Sequence, residues 1–170
     1  MAFDTYMIID SASTIKGEAT AKGLTPAEGW FEIFSFSWGA SNPTTVGSGG
    51  GGLTAGRVSV SSFNVMKKSE KSSAALFSAC CMGTHFGTAQ VVMRKATGTG
   101  GQQIFLKYDF TDVLVESIQW SGSSGGDDTP TESLSFSFAK VAIEYSAQTS
   151  ADGKVSKAAN ATWDLTAVSA

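Results

Sequence analysis

The chain has little charge. Of its 170 residues only 16% are Asp, Glu, Lys or Arg, against roughly 25% in an ordinary soluble domain. The formal net charge of -3 supplies no field that would draw nucleic acid. Cysteine is scarce as well: Cys80 and Cys81 are the only two, and they are neighbours. Adjacent Cα atoms lie about 3.8 Å apart, closer than a disulfide usually spans. No disulfide framework is therefore available, and two buried thiols are expected. The single histidine, His85, and two adjacent cysteines do not give the spacing of a tetrahedral zinc set. No run of about 18 apolar residues occurs, so no helix to span a membrane is expected. The opening MAFDTYMIIDS carries Asp4 and lacks a basic segment before a long apolar core. It does not read as a secretory signal, and synthesis in the cytoplasm is the expectation.

What is present is small, polar and apolar in alternation. The length suits one domain, residues 1–170, burying roughly 70% of its unfolded surface. One stretch alone reads as a helix, Ser69 to Phe86. Ser72 or Ser69 can cap its N-terminus, and Gly83 can take the left-handed C′ position. Between Ala74 and Met82 only Ser78 is polar. A helix apolar nearly all round is expected to be buried on most sides.

The rest alternates with period two. Phe3 to Ile9 is a first strand, and Ser11 to Gly29 a polar loop. Trp30 to Trp38, WFEIFSFSW, is the strongest strand, with Phe34, Phe36 and Trp38 on one face and Ser35 and Ser37 on the other. Gly39 to Gly56 is a long glycine-rich loop, and strand resumes from Arg57 to Met66. Further strands are expected over Thr88–Ala96, Gln102–Trp120, Thr131–Gln148 and Ala161–Val168. The long strands change parity. Leu134, Phe136 and Phe138 give way to Val141, Ile143 and Tyr145; Tyr108 and Phe110 give way to Val113 and Val115; Val58 and Val60 give way to Phe63 and Val65. A parity switch needs a bulge or corner. Three of them point to bent strands around a closed antiparallel barrel with one helix against it.

Chemistry-bearing motifs are few. Gly47, Gly49 and Gly52 satisfy G-x-G-x-x-G, but strand follows where a dinucleotide site needs a helix. His85 reads as a helix-end or core histidine, since no G-x-S-x-G elbow accompanies it. Asp127, Asp128 and Glu132 crowd one turn without the calcium-loop pattern, and read as solvated. Lys67, Lys68 and Lys71 read as a solvated face. Trp30, Trp38, Trp120 and Trp163 read as core, with a sugar-stacking platform as the other option. No catalytic residue, cofactor or metal is expected. A monomeric carbohydrate-binding β domain using the tryptophans, and a hydrolase built on His85, are the alternative classes.

Several pieces together resemble one family. They are the opening MAFDTYMII, Lys16-Gly17-Glu18, Phe36-Ser37-Trp38-Gly39, and the glycine-rich loop into Ala55-Gly56-Arg57-Val58. They continue with Lys71-Ser72-Ser73 through Leu76, Cys80, Gly83 and His85, then Arg94-Lys95-Ala96, Asp112 to Val115, Ser121-Gly122, and the strand from Glu132 to Tyr145. In order and spacing they resemble the haemolysin-coregulated protein (Hcp) family, the tube proteins of bacterial type VI secretion. Ala19 to Glu28 is longer than the family pattern, and Gln148 to Asn160 matches it weakly. The resemblance implies a β-barrel with one helix, six-membered rings, and rings stacked into a hollow tube. It also implies a contractile sheath, a spike protein at the tip, effector proteins in the lumen, and export through the machine without a signal peptide. Given such a tube, alternation puts Ser35 and Ser37 on the face opposite the core, as lumen-facing candidates for cargo. The loop residues Val46, Gly49, Gly50, Gly51, Gly52 and Leu53 are the candidates for contact with the next ring.

Overall fold

The computed structural model describes residues 3–10, 14–47, 52–97, 101–126, 128–148 and 155–167. A first strand, β1 (Asp4–Ile9), is followed by the short strands β2 (Phe31–Ile33) and β3 (Ser35–Ser37). Four more short strands make an excursion: β4 (Ala40–Ser41), β5 (Thr44–Val46), β6 (Leu53–Ala55) and β7 (Ser59–Val60). Then come β8 (Phe63–Lys68), the helix α1 (Ser73–Met82) and the strands β9 (His85–Thr97), β10 (Gly101–Ser121), β11 (Thr131–Gln148) and β12 (Val155–Asp164). The main sheet runs β2-β1-β9-β10-β11-β8-β3, with β12 also on β11, and every neighbouring pair is antiparallel. Its ends nearly meet. β2 pairs with β1 and β3 pairs with β8, and the Phe34 N–H between them donates to Met66 O at 3.0 Å. The sheet is thus an almost closed barrel with one helix beside it.

The parity switches mark where the long strands turn. On β10, buried Tyr108 and Phe110 give way to buried Val113 and Val115, and Asp112 between them has φ +54°. A left-handed residue there lets the strand bend without losing the ladder on either side. Opposite it on β11, pairing passes from Lys140 to Phe138. A bulge between Val115 and Ser117 leaves Glu116 as the extra, exposed residue.

The inward faces supply one core. Phe36, Trp38, Phe63, Tyr108, Phe110 and Phe138 form a continuous aromatic cluster, with ring centroids 4.7 to 6.3 Å apart. A smaller core lies on the other side of β1 and β9, where Leu24 and Trp30 cover Ile8 and Val92. The segment before β2 lies close against the strand: a Cβ on Gly17 would sit 2.2 Å from Trp30 O, so only glycine fits.

Several expectations are corrected. The helix is shorter than Ser69–Phe86, and β9 begins before Thr88. Its C-terminus ends as expected, with Gly83 at φ +61° and its N–H near Ala79 O and Cys80 O. Its N-terminus does not: the Ser72 side chain caps nothing and bonds the Glu70 carboxylate instead. Only Ser73, Leu76 and Ala79 are buried on α1. Phe77 and Met82 are exposed, as is Cys81, while Cys80 is half-buried. The helix rests on the barrel along one stripe, and among the described residues its Phe77, Cys81 and Met82 remain exposed. The strand expected over Trp30–Trp38 is two strands with a bend at Phe34, because the chain changes partner there. Phe34 is exposed, whereas Phe36 and Trp38 pack into the core. The one strand expected over Arg57–Met66 is two, β7 and β8, separated by Ser61 and Ser62. The final strand starts earlier than Ala161, at Val155, in a stretch whose polarity suggested a loop.

Candidate functional site

The helix start is anchored by a buried polar cluster. Lys67 on β8 and Glu132 on β11 are directly paired across the sheet, and both side chains are fully buried. Their Nζ and Oε2 lie 2.9 Å apart. Lys67 Nζ also donates to Lys68 O at 3.0 Å, to Ser73 Oγ at 3.2 Å and to Glu70 Oε1 at 3.3 Å. Trp120 Nε1 donates to Glu132 Oε1 at 2.8 Å. Glu70 extends the cluster outward by accepting from Ser72 N and Glu18 N. Burial pushes the Glu132 carboxyl up, but the polar side chains of Ser73, Lys67 and Ser69 around it and the Lys67 charge outweigh it, so the group lies below its usual range. Lys67 is therefore not part of a solvated face, and Glu132 is not part of a solvated turn. Buried charges persist when each is paired and hydrogen-bonded, and here they join β8, β10, β11 and α1. Asp127 lies outside the described residues.

Outside this cluster the same sheet presents a small polar surface. Ser35 and Ser37 are exposed, on the face opposite Phe36. Rows of cross-strand partners extend it: Ser37 with Asn64, Ser135 and Ser117, and Ser35 with Met66, Ser133 and Gln119. Ser135 Oγ donates to Asn64 Oδ1 at 2.6 Å, and Asn64 Nδ2 donates to Ser62 O at 3.1 Å. Ser62 Oγ in turn donates to Glu116 Oε2 at 2.5 Å. This four-stranded portion, β3-β8-β11-β10, has two open edges among the described residues. β3 has no partner beyond β8. β10 loses β9 after Leu114, where α1 lies alongside.

The glycine-rich excursion is an arm rather than an unstructured loop. β4 pairs with β7 at its base and β5 with β6 further out. Ser61 N donates to Gly39 O and Gly39 N donates to Ser61 Oγ, both at 2.9 Å, and Gly56 N donates to Pro43 O at 2.7 Å. Val46 and Leu53, the two apolar candidates, are cross-strand partners. Both are exposed, as is Gly52. Gly49, Gly50 and Gly51 lie outside the described residues. The segment after Gly52 is the strand β6, not the helix that a dinucleotide fingerprint requires.

The remaining candidates do not gather into a reaction centre. His85 opens β9 with its imidazole exposed, and its Nδ1 lies 3.0 Å from Asp112 Oδ1, an exposed pair. Of the tryptophans, Trp30 is buried and donates to Pro26 O at 2.8 Å. Trp120 is exposed, contrary to a core assignment. Trp38 and Trp163 line an apolar groove of about 290 Å³ with Val58, Val60, Val141 and Ile143. Sugar recognition needs several convergent polar groups beside the ring, and this lining is overwhelmingly aliphatic and aromatic. Among the described residues no three His, Cys, Asp or Glu side chains could hold a metal ion. No helix there is long and apolar enough to cross a membrane. The sequence signals missed the Lys67–Glu132 pair. Its one trace was a lysine and a glutamate at inward positions of otherwise apolar alternation.

Comparison with known proteins identifies the architecture. Residues 6–145 match the family model described as type VI secretion system effector, Hcp. Among curated relatives, Protein hcp1 of Pseudomonas aeruginosa is 37% identical over 97 residues, 57% of this chain and 58% of that protein's length. The match thus spans under two thirds of that relative. Solved structures cover more. One described as a type six secretion system protein superposes with a TM-score of 0.87 at 34% identity, over 98% of both chains. Hcp1 from Salmonella typhimurium gives 0.73 at 30% identity over 99% of both. A nearly closed barrel with one helix, matched from β1 into β11, therefore belongs to the Hcp family of type VI secretion proteins.

Proposed function

We propose that the chain is a structural, non-enzymatic subunit of a type VI secretion tube. Six copies close into a ring, rings stack into a hollow tube, and a contractile sheath drives the tube and its spike protein into a target cell. The subunit is made in the bacterial cytoplasm and leaves through the machine itself. The observation that carries this reading is the four-stranded polar sheet with an open edge on each side, in a chain of the Hcp family. Unpaired edges invite pairing with another chain. Two different edges on one subunit give a head-to-tail contact, which closes into a ring when the rotation allows. Closure into a barrel removes both edges at once. Light scattering with negative-stain imaging tests this. Annular particles are expected at micromolar concentration, and a monomer throughout that range overturns the reading.

The polar face then lines the lumen. Ser35 and Ser37 leave room for an effector protein and offer hydroxyls for hydrogen bonds to it. Their neighbours Asn64, Ser133 and Ser135 continue that chemistry. Ser37→Gln keeps an uncharged polar group but fills space, so rings are expected to form normally while retaining less cargo in pull-down. If the substitution unfolds the subunit instead, the face assignment is wrong. The exposed arm, with Val46 and Leu53 paired on one rung, contacts the next ring in the stack.

A further inference from the structure

Two aromatic sites stand on the two open edges of the polar sheet, at the same level. The row Ser35, Met66, Ser133, Gln119 crosses the sheet from one edge to the other. One residue further in the same direction stand Phe34 on the β3 edge and Trp120 on the β10 edge. Phe34 is 54% exposed, Trp120 47% and the neighbouring Phe77 of α1 49%. The Phe77 and Trp120 rings pack together, with centroids 5.6 Å apart. Phe34 sits in a recess of about 540 Å³ with Ala19, Glu18, Glu32, Lys68 and Thr131. α1 itself carries no charged residue.

Aromatic side chains bury about 150–250 Å² each when covered, so three half-exposed rings leave on the order of 300 Å² open. A stable interface needs about 800 Å² from each partner, with aromatic anchors at its centre and a polar rim. The patch has the size of such a centre, and the serine-rich edges beside it have the character of the rim.

We propose that Phe77 and Trp120 of one copy seat in the Phe34 recess of a second copy, as the anchor of the subunit contact within a ring. This rests on the ring reading above and assigns its central residues. The occupant is a second copy because the complementary site lies on this same chain, at the other end of the same cross-strand row. Joining the two also satisfies both open strand edges.

The test uses the full chain. Phe34→Asp and Phe77→Asp are made separately, since both rings are exposed and their loss leaves the core intact. Each is expected to raise the concentration at half-assembly at least roughly 30-fold in light-scattering dilution, while the thermal melt of the monomer stays near wild type. Tyr145→Asp, exposed elsewhere, leaves assembly unchanged. Phe77→Ser, without a charge, weakens assembly in the same direction if either aspartate variant misfolds. Combining Phe34→Asp with Phe77→Lys restores assembly, because every contact then sets Asp against Lys. If wild type forms rings and the patch variants form them equally well, this assignment is overturned and the ring stands. If wild type is monomeric throughout, the ring reading falls and the anchor with it.

Discussion

Lys67→Ala is expected to lower the melting temperature by roughly 6–20 °C. Removing one partner of a buried ion pair costs about 3–5 kcal/mol, and each kcal/mol moves the melting temperature of a 150–250-residue protein by about 2–4 °C. The cost arises because Glu132 would keep its burial and its bond from Trp120 Nε1 while losing the cation 2.9 Å away. The variant Lys67→Met with Glu132→Gln removes both charges and keeps an acceptor for Trp120. It should recover most of the loss, since a buried pair is often close to neutral against an uncharged replacement. Calorimetry on the three chains decides: a double variant as unstable as the single one would mean that the stranded Glu132 charge is not the cause, and that the cost lies in the lost Lys67 hydrogen bonds to Lys68 O, Ser73 and Glu70. The pair also sets an acid dependence. The Glu132 carboxyl lies below its usual value, so its contribution is fully present above the unfolded value of about 4.3. It is lost as pH falls through the lower folded value. Glu132→Gln is therefore expected to flatten the fall of stability below about pH 4.3, and an unchanged slope there would assign the acid sensitivity elsewhere.

Shortening the arm should abolish tubes while leaving rings. Joining Ser41 to Ala55 through a brief turn removes β5 and nearly all of β6. The base survives, because Ala40 pairs with Val60 and Ser41 with Ser59. An isolated two-stranded hairpin is marginally stable in water, and this one has its described residues exposed on both strands. Its cross-strand pairing nevertheless holds part of the order that would otherwise cost about 1–2 kcal/mol per residue on docking. Each arm then adds a modest contact through Val46 and Leu53, and six acting together become effective. Tube length by electron microscopy, wild type against the shortened chain at equal concentration, is the measurement. Tubes of equal length would leave the arm out of stacking.

Local rules carried much of the architecture, and their failures have one cause. Gly83 at the helix end, the inward set Phe36, Trp38, Phe63 and Phe110, and the corner at Asp112 all follow from backbone geometry and alternation. These are properties of a few consecutive residues. The parity switches within that alternation also pointed to a barrel before any strand had a partner. What the sequence could not determine was which segment meets which. Phe34 sits inside an unbroken apolar alternation, yet it is exposed because the chain passes from β1 to β8 at that residue. Lys67 and Glu132 look like surface charges singly; burial follows only because pairing of β8 with β11 sets one against the other. A polyglycine tract gives no strand signal, and Val46 opposite Leu53 became a hairpin rung only through pairing across it. The all-apolar helix was expected to be covered within the subunit, and the fold covers one stripe of it. Tertiary structure decided these points because long-range pairing and burial depend on residues far apart along the chain, which no local period encodes.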